Sequence, residues 1–289
     1  MIDFPIIDSH VHLCDPERLA YSWTANAPSL KRRVLPADFA RAAAPVQIDR
    51  FVFVEVDVDY PQHLVEAAWV DGLAQSQPKA EPRIAGLVAA LPLEEGPRIE
   101  GGLQELLALK ALRGVRRLIQ NQPDPEFCTN ADFIAALKLL APHDLSFDIC
   151  VFHHQLPSVI RMVRACPEVR FVLDHIGKPA IKAGILDPWR SHMTELASYG
   201  NVFCKISGVA TEADHGNWTR EQLKPYIVHA IEAFGFDRVM YGGDWHVLGL
   251  AAPYPKWVET LEWVIAGASA GDRRKLFRDN AVNFYRLER

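Results

Sequence analysis

The sequence predicts a (β/α)8 barrel, an α/β fold of the TIM-barrel type, as a single domain over residues 1–289. Three observations support this fold. Short apolar runs alternate with amphipathic stretches along the chain, which is typical of a parallel sheet covered by helices. Eight such runs can close a barrel, and a barrel of this type occupies roughly 250 residues. No low-complexity tract, charge block or glycine-serine linker marks a domain boundary.

The predicted strands are rich in β-branched and aromatic residues and almost continuously apolar, as expected where both faces of a strand are covered. They span residues 5–8, 50–56, 84–91, 114–119, 146–152, 170–174, 201–206 and 238–241. An open, doubly wound sheet is the structural alternative, but no G-x-G-x-x-G motif follows the first strand. The closed barrel is therefore the predicted architecture.

An amphipathic stretch follows each strand from the second to the eighth. These predicted helices span residues 61–75, 97–109, 130–141, 157–165, 188–199, 220–234 and 254–266. Asp132 is the predicted cap of the helix over 130–141, because a carboxylate can accept hydrogen bonds from the free N–H groups of a first helical turn.

The composition argues against several classes of partner. The chain is 49% hydrophobic and 23% charged, with a formal net charge of -5, so nothing attracts it to nucleic acid or anionic lipid. No basic and apolar leader opens the chain, and no apolar stretch approaches the ~20 residues of a membrane helix. The five cysteines include no C-x-x-C pair, which favours reduced thiols. We expect a cytoplasmic protein.

Polar residues gather where the first and eighth strands end, which is where barrels of this type carry their chemistry. His10 and His12 are two residues apart, so in an extended segment they share a face and can bind one metal ion or one anionic group. Asp244 follows two glycines after the eighth strand, and its carboxylate could be a general base or a metal ligand. A pair of loop histidines and a helix-capping aspartate are the structural alternatives.

The sixth and fourth strands end in further candidates. His175 can polarise a carbonyl group, and Lys178 lies on the loop just beyond it. Asp174 is expected to point away from His175, towards the helices. Arg116 and Gln120 share parity on the fourth strand, and a guanidinium there could hold carboxylate or hydroxyl oxygens. An exposed arginine is the alternative interpretation of Arg116.

Other polar residues are less specific. Glu55, Lys205, His153 and His154 are each either part of the site or satisfied polar groups of the barrel, and the residue pattern leaves both interpretations open. Trp23, in the long loop after the first strand, could cover the mouth of the barrel or pack locally.

Five segments, taken together, resemble the amidohydrolase-related lactonase family. They read Ile-Asp-Ser-His-Val-His, Gly-Val-Arg, Phe-Val-Leu-Asp-His-Ile-Gly-Lys-Pro, Cys-Lys-Ile-Ser-Gly and Tyr-Gly-Gly-Asp-Trp. This family includes L-fuconolactonase, L-rhamnonolactonase and 2-pyrone-4,6-dicarboxylate lactonase. Residues 114–127 are most similar to its sugar-lactone members. The resemblance implies a barrel with His10, His12, His175 and Asp244 around the reaction centre and Arg116 among the substrate contacts.

The sequence also departs from the family pattern. Gly243 stands where serine is common, and His246 replaces a proline. Arg116 occupies the region of the strand-four lysine that would bridge two metal ions, so a binuclear centre is not expected. We expect one zinc ion, or another divalent metal, or none. The expected ligands are His10, His12 and Asp244, with His153 as an additional candidate.

The function expected from these residues is hydrolysis of a sugar (aldono-) lactone to its acid. Asp244 would take a proton from water, and His175 would stabilise the oxyanion. The expected substrate contacts are Arg116, Gln120, His10, His12, Trp23 and Lys178. A metal-dependent decarboxylase or hydratase acting on an aromatic or unsaturated acid is the enzymatic alternative. A barrel kept only for binding is the other. The expected partner is a small-molecule lactone, and a homo-oligomer is compatible with the sequence.

Overall fold

Eight parallel strands form one sheet in the order β1 to β8. The computed structural model describes residues 2–78 and 81–287. The strands are β1 (Ile6–Val11), β2 (Ile48–Val54), β3 (Arg83–Ala90), β4 (Leu112–Arg116), β5 (Ser146–Ile149), β6 (Arg170–Leu173), β7 (Val202–Ile206) and β8 (Val239–Tyr241). All eight predicted strands are present with small displacements of their ends, and the predicted (β/α)8 barrel is confirmed.

The helices surround this sheet. They are α1 (Pro36–Ala43), α2 (His63–Ser76), α3 (Glu100–Leu107), α4 (Ala131–Lys138), α5 (Leu156–Ala165), α6 (Trp189–Ala197), α7 (Arg220–Phe234), α8 (Tyr254–Val264), α9 (Ala270–Arg274) and α10 (Asn280–Tyr285). The seven predicted helices correspond to α2 through α8. Helix α1 was not predicted, because it is short and begins at a proline in a stretch whose sequence is typical of a loop. The two C-terminal helices were not predicted either.

Hydrogen bonds between β1 and the segment after β8 close the barrel. The backbone N–H of Asp244 donates to the carbonyl of His10 at 2.8 Å, and that of His12 donates to the carbonyl of Trp245 at 2.6 Å. Val11 and Trp245 form a parallel bridge. Two of the predicted site segments are therefore joined directly by the hydrogen bonds of barrel closure.

The C-terminal helix α10 covers the amino-terminal end of the barrel. Its residues join strand side chains in one buried apolar cluster, which comprises Ile7, Val52, Val54, Val88, Val172, Met240, Ala281, Phe284, Tyr285 and Leu287. Burial of such side chains stabilises a fold by roughly 1.5–3 kcal/mol each. The cluster leaves the opposite, carboxyl-terminal end of the strands for polar residues.

None of the helices within residues 2–78 and 81–287 has both the length and the apolar character needed to cross a bilayer. All five cysteines are buried, and none is in a disulfide.

The cap of α4 differs from the prediction. Asn130, with an extended backbone, accepts a hydrogen bond from the backbone N–H of Phe133 at 2.7 Å through its side-chain oxygen. Asp132 lies inside the first turn of the helix instead. The predicted cap was wrong by two residues because an asparagine and an aspartate both suit this position, and only the backbone angles decide between them.

We predict that Asn130→Ala lowers the free energy of unfolding by about 1 kcal/mol, because the N–H of Phe133 loses its acceptor. Asp132→Ala is the matched control and should cost less, since it removes only a favourable charge near the helix N-terminus. Urea unfolding followed by circular dichroism measures both changes. A larger loss for Asp132→Ala would show that the cap is assigned to the wrong residue.

Candidate active site

A layer of charged side chains fills the barrel above the apolar cluster. Arg116 of β4, Asp148 of β5 and Lys205 of β7 point inward, as does Asp174, which directly follows β6, and all are at most 3% exposed. The Lys205 ammonium lies 2.6 Å from Asp148 Oδ2 and 3.0 Å from Asp174 Oδ1. Arg116 lies 3.2 Å from Asp174 Oδ2. Burial of a charged group is costly unless the group is paired, so these ion pairs keep the four side chains in place.

The protonation states of this layer follow from its pairing. Burial alone would raise the pKa of Asp174, but the Lys205 ammonium and His10 hold it well below its usual range. Burial would likewise lower the pKa of Lys205, yet the carboxylates of Asp148 and Asp174 raise it. Tyr285 of α10 donates a hydrogen bond to Asp148 at 2.7 Å and so connects the layer to the C-terminal helix. Asp174 and Lys205 are therefore charged at neutral pH.

Glu55 extends the charged layer towards the mouth of the barrel. Its carboxylate accepts a hydrogen bond from Arg116 Nε at 2.5 Å, and its backbone carbonyl accepts another from the same guanidinium. Its second carboxylate oxygen accepts the backbone N–H of Asp57 at 2.7 Å. Arg116 is thus already bonded to two carboxylates while it lines the cavity, and its predicted contact with substrate stays a prediction.

His10, His12 and Asp244 meet on top of this layer. His10 Nε2 and His12 Nε2 are 3.2 Å apart, and His12 Nε2 is 3.3 Å from Asp244 Oδ1. His12 Nδ1 lies 2.8 Å from the carbonyl oxygen of Val54. A carbonyl can only accept a hydrogen bond, so Nδ1 carries a proton, and Nε2 is the ring nitrogen that faces Asp244.

His175 reaches the same centre by an unusual backbone conformation. Its φ angle is 56°, in the left-handed region, and its Nδ1 lies 2.9 Å from the hydroxyl of Ser207 and 4.0 Å from Asp244 Oδ2. A Cβ atom at Gly208 would lie 2.5 Å from His175 Nδ1, so only glycine fits there. Burial lowers the pKa of His175 to about 4, and the imidazole is neutral at neutral pH.

Asp8 supports Asp244 from outside the cavity. Its carboxylate accepts hydrogen bonds from the backbone N–H of His10 at 2.9 Å, the backbone N–H of Gly243 at 2.8 Å and the hydroxyl of Tyr254 at 2.7 Å. A Cβ atom at Gly243 would lie 2.3 Å from Asp8 Oδ2 and 2.4 Å from Tyr254 Cε2. The glycine that departs from the family pattern is therefore required at position 243, because Tyr254 occupies the space that a larger side chain would need.

A cavity of about 330 Å³ opens above these groups. Its floor is formed by buried residues, namely His12, Arg116, Cys150, His175 and Asp244. Its rim is formed by more exposed polar residues, namely Asn26, Asp57, Gln120, Asn121 and Lys178. Half-buried Trp23 also lines it and donates through Nε1 to the carbonyl of Val56 at 2.8 Å. Lys178 donates to the Gln120 side chain at 2.5 Å.

The structure brings most of the predicted site residues together. His10, buried beside His12, and the lining residues include every predicted catalytic and substrate-binding position. Glu55 and Lys205, whose roles the sequence left open, belong to the charged layer. His153 and His154 lie apart from the described cavity lining, and His154 neighbours His153 in a short turn before α5. His153 therefore stays an additional candidate outside the cavity floor and is not part of the ligand set formed there.

One expected orientation is wrong. Asp174 points into the barrel, where it contacts His10, Arg116 and Lys205, and not towards the helices. Strand alternation carries Asp174 to the same side as Val172, and the positive φ angle of His175 then turns that side chain inward as well. The predicted orientation assumed that Asp174 and His175 alternate along an extended strand, but β6 ends at Leu173, before both residues.

Two buried carboxylates near the site, Asp148 and Asp8, were not predicted from the sequence. Asp148 interrupts an otherwise apolar strand, and an ionisable residue in such a strand is itself a signal of a charged partner inside the barrel. Asp8 stands in the otherwise apolar start of β1, where a buried carboxylate likewise signals a polar partner. Cys150 also lines the cavity floor.

The donor set fits a divalent cation. One nitrogen or oxygen from each of His10, His175 and Asp244 lies within 4.8 Å of the others. Nε2 of His12 faces the same centre. The buried carboxylates around it outnumber the buried cations, the former being Glu55, Asp148, Asp174 and Asp244 and the latter Arg116 and Lys205. Converging lone pairs with an excess of negative charge favour a bound cation.

Comparison with known proteins identifies the family. The family model described as Amidohydrolase matches residues 7–287. The chain belongs to the amidohydrolase family. An L-fucono-1,5-lactonase of Burkholderia multivorans is 32% identical over 293 residues, which cover 97% of this chain and 96% of that relative. The family resemblance found in the sequence is thereby confirmed.

Solved structures of this amidohydrolase type share the architecture. An amidohydrolase from Burkholderia multivorans with bound zinc is 30% identical and gives a TM-score of 0.86 over 98% of this chain and 100% of that chain. A putative 2-pyrone-4,6-dicarboxylic acid hydrolase from Pseudomonas putida is 21% identical, with a TM-score of 0.74 over 100% of both chains. At that identity the second comparison supports the fold alone.

We predict that Lys205→Met lowers the free energy of unfolding by about 3–5 kcal/mol, because Asp148 and Asp174 then share a buried site without their cation. The double variant Lys205→Met/Asp148→Asn should recover part of this loss. Lys275→Met is the matched control, since Lys275 forms an ion pair of the same length, 2.6 Å, with Asp237 on the surface. It should change stability little. Equal losses for the two lysines would contradict the structural role of the buried pair.

Proposed function

We propose that this amidohydrolase opens sugar (aldono-) lactones to the corresponding sugar acids. The observation that carries the proposal is the pairing of Asp244 and His175 on the floor of the cavity. The chain's similarity to an L-fucono-1,5-lactonase supports the choice of an ester substrate. A lactone is an activated ester, so its hydrolysis needs less electrophilic assistance than that of an amide.

Asp244 is the proposed general base. Burial alone would raise the pKa of Asp244, but His175, His12 and His10 hold it well below its usual range. The carboxylate is therefore ionised at neutral pH and can accept a proton from the attacking water. The water oxygen forms a bond to the lactone carbonyl carbon, and the bond from that carbon to the ring oxygen breaks. The proton held by Asp244 then goes to the ring oxygen, which leaves as a hydroxyl group.

His175 is the proposed partner of the carbonyl oxygen. The Ser207 hydroxyl lies 3.3 Å from the backbone N–H of His175 and can accept it while donating its own proton to His175 Nδ1. The remaining ring nitrogen then carries a proton that it can donate to the developing oxyanion. Because the imidazole is neutral and buried, this donor needs no protonation event before the reaction.

His10, His12 and Asp244 are the residues that would hold a divalent metal, with zinc as the proposed ion. A bound ion of this kind lowers the pKa of water and polarises a carbonyl group. Neighbouring residues orient the two histidine ligands. The carbonyl of Val54 places a proton on His12 Nδ1, and Asp174 lies 3.3 Å from His10 Nδ1. We propose that the protein is a soluble cytoplasmic enzyme whose partner is a small-molecule lactone, and not nucleic acid or a membrane.

We predict that Asp244→Asn lowers kcat on sugar lactones by roughly 10²–10⁴-fold, because an amide cannot accept the proton of water. The isosteric change should leave the thermal midpoint of unfolding close to that of the wild type. A pH-indicator assay over a panel of sugar lactones, with L-fucono-1,5-lactone included, measures the rates. Near-normal kcat in this variant would remove Asp244 from the mechanism. A wild-type protein that opens no lactone in the panel would overturn the proposed function itself.

We predict at most one divalent metal ion per chain, and loss of that ion in His12→Gln. His153→Gln is the matched control and should retain it, because His153 lies outside the cavity lining. Metal analysis by mass spectrometry on protein purified without added zinc decides both points. Two equivalents of metal per chain, or loss of metal in His153→Gln alone, would contradict this ligand assignment.

A further inference from the structure

Unusual backbone conformations concentrate around the cavity. Among the described residues, eight other than glycine have positive φ angles. Five of these line the cavity, namely Asp57, Asn121, His175, Lys178 and Asp244. Such a conformation is unfavourable for most residues with a side chain, less so for Asp and Asn, and it persists where the surrounding structure enforces it, often at functional sites. The concentration of these residues points to the cavity as a functional site.

Three of the five already have a role or a partner. His175 and Asp244 form the reaction centre, and Lys178 donates to Gln120. The other two are Asp57, with a φ angle of 54°, and Asn121, with a φ angle of 64°. Within the described part of the chain, neither side chain has a hydrogen-bond or ion-pair partner. Both are exposed on the cavity rim with their bonding groups available.

The backbone of Asp57 is nevertheless held firmly. Its N–H donates to Glu55 at 2.7 Å, and Glu55 is bonded to Arg116 at 2.5 Å. The charged layer beneath the floor therefore fixes the position from which the Asp57 side chain projects. A carboxylate offers only acceptors and an amide offers both donors and acceptors, so the two side chains together match hydroxyl groups.

We propose that Asp57 and Asn121 bind the hydroxyl groups of the substrate and make the enzyme selective for polyhydroxylated lactones over lactones without hydroxyl groups. The inference rests on the proposed lactone hydrolysis. The two oxygens of Asp57 can accept hydrogen bonds from two neighbouring hydroxyls, while Asn121 can donate to a further oxygen. Neither residue takes part in proton transfer at the carbonyl, so their contribution is to specificity.

The test compares kcat/KM on L-fucono-1,5-lactone with kcat/KM on δ-valerolactone, a ring lactone without hydroxyls. Asp57→Ala should lower the ratio of the two values about 10- to 100-fold, the effect typical of losing hydrogen bonds to a charged group. Asp57→Asn and Asn121→Ala should lower it less. Asparagine tolerates the left-handed conformation, so Asp57→Asn keeps the backbone as it is. Glu168→Gln, an exposed charge change outside the cavity lining, is the control and should leave the ratio unchanged.

A parallel fall in activity on both lactones, or no change on either, would overturn the inference. If the wild type opens neither lactone, the proposed hydrolysis fails instead. Direct binding then still tests the two residues: L-fucose, a hydroxylated ring that cannot be hydrolysed, should bind at least fivefold more weakly to Asp57→Ala than to the wild type by calorimetry. Equal affinities would overturn the inference independently of any activity.

The pH dependence of the ratio gives a second readout. Partial desolvation at the cavity rim and the Glu55 carboxylate raise the pKa of Asp57 to about 6, with Asp59 adding to this and Arg116 and Arg117 opposing it. As pH falls through about 6, Asp57 takes up a proton and loses its anionic acceptor. The wild-type ratio should therefore fall in this range, whereas the ratio of Asp57→Asn should stay flat. Titration of the reaction centre affects both substrates and cancels in the ratio.

Discussion

Closure of the barrel between β1 and the segment after β8 is the constraint on which the site depends. The hydrogen bond that completes the sheet at this seam joins the backbone N–H of Asp244 to the carbonyl of His10 at 2.8 Å. Asp8 reinforces the seam by accepting N–H groups from both segments. Asp244, the proposed base, and the two histidines of β1 and the loop after it are therefore positioned by the barrel itself. A site built on strands in this way is more rigid than one carried by free loops.

The charged layer inside the barrel connects that seam with the mouth of the cavity. Lys205 contacts His10 at 3.2 Å and Asp174 at 3.0 Å, and Arg116 joins Asp174 to Glu55. Each ionic group satisfies a neighbour that would otherwise be buried and unpaired. The same chain of contacts reaches the rim at Asp57, whose backbone N–H donates a hydrogen bond to Glu55. The floor, the proposed place of hydrolysis, and the rim, the proposed place of substituent recognition, therefore share one support.

Local pattern was enough to predict the barrel and the core of the site. Strands and helices bury apolar side chains with different spacings along the chain. The alternation of apolar runs and amphipathic stretches therefore predicts where strands and helices lie. His10 and His12 share a face for the same reason. The position of Asp244 and His175 just after strands placed them at the carboxyl end of the barrel, where the strands of this fold converge.

Only the tertiary structure decided which polar residues support the site. Asp148 and Lys205 are distant in sequence, and their pairing at 2.6 Å exists because β5 and β7 flank β6 and both side chains point into the barrel interior. The inward turn of Asp174 depends on where β6 ends, and the exposure of Asp57 depends on a left-handed backbone held by Glu55. The sequence by itself determined the strand pattern and the residues at strand ends, because these follow from local periodicity. The tertiary structure decided the charge pairs, since they form only after barrel closure brings separate strands together.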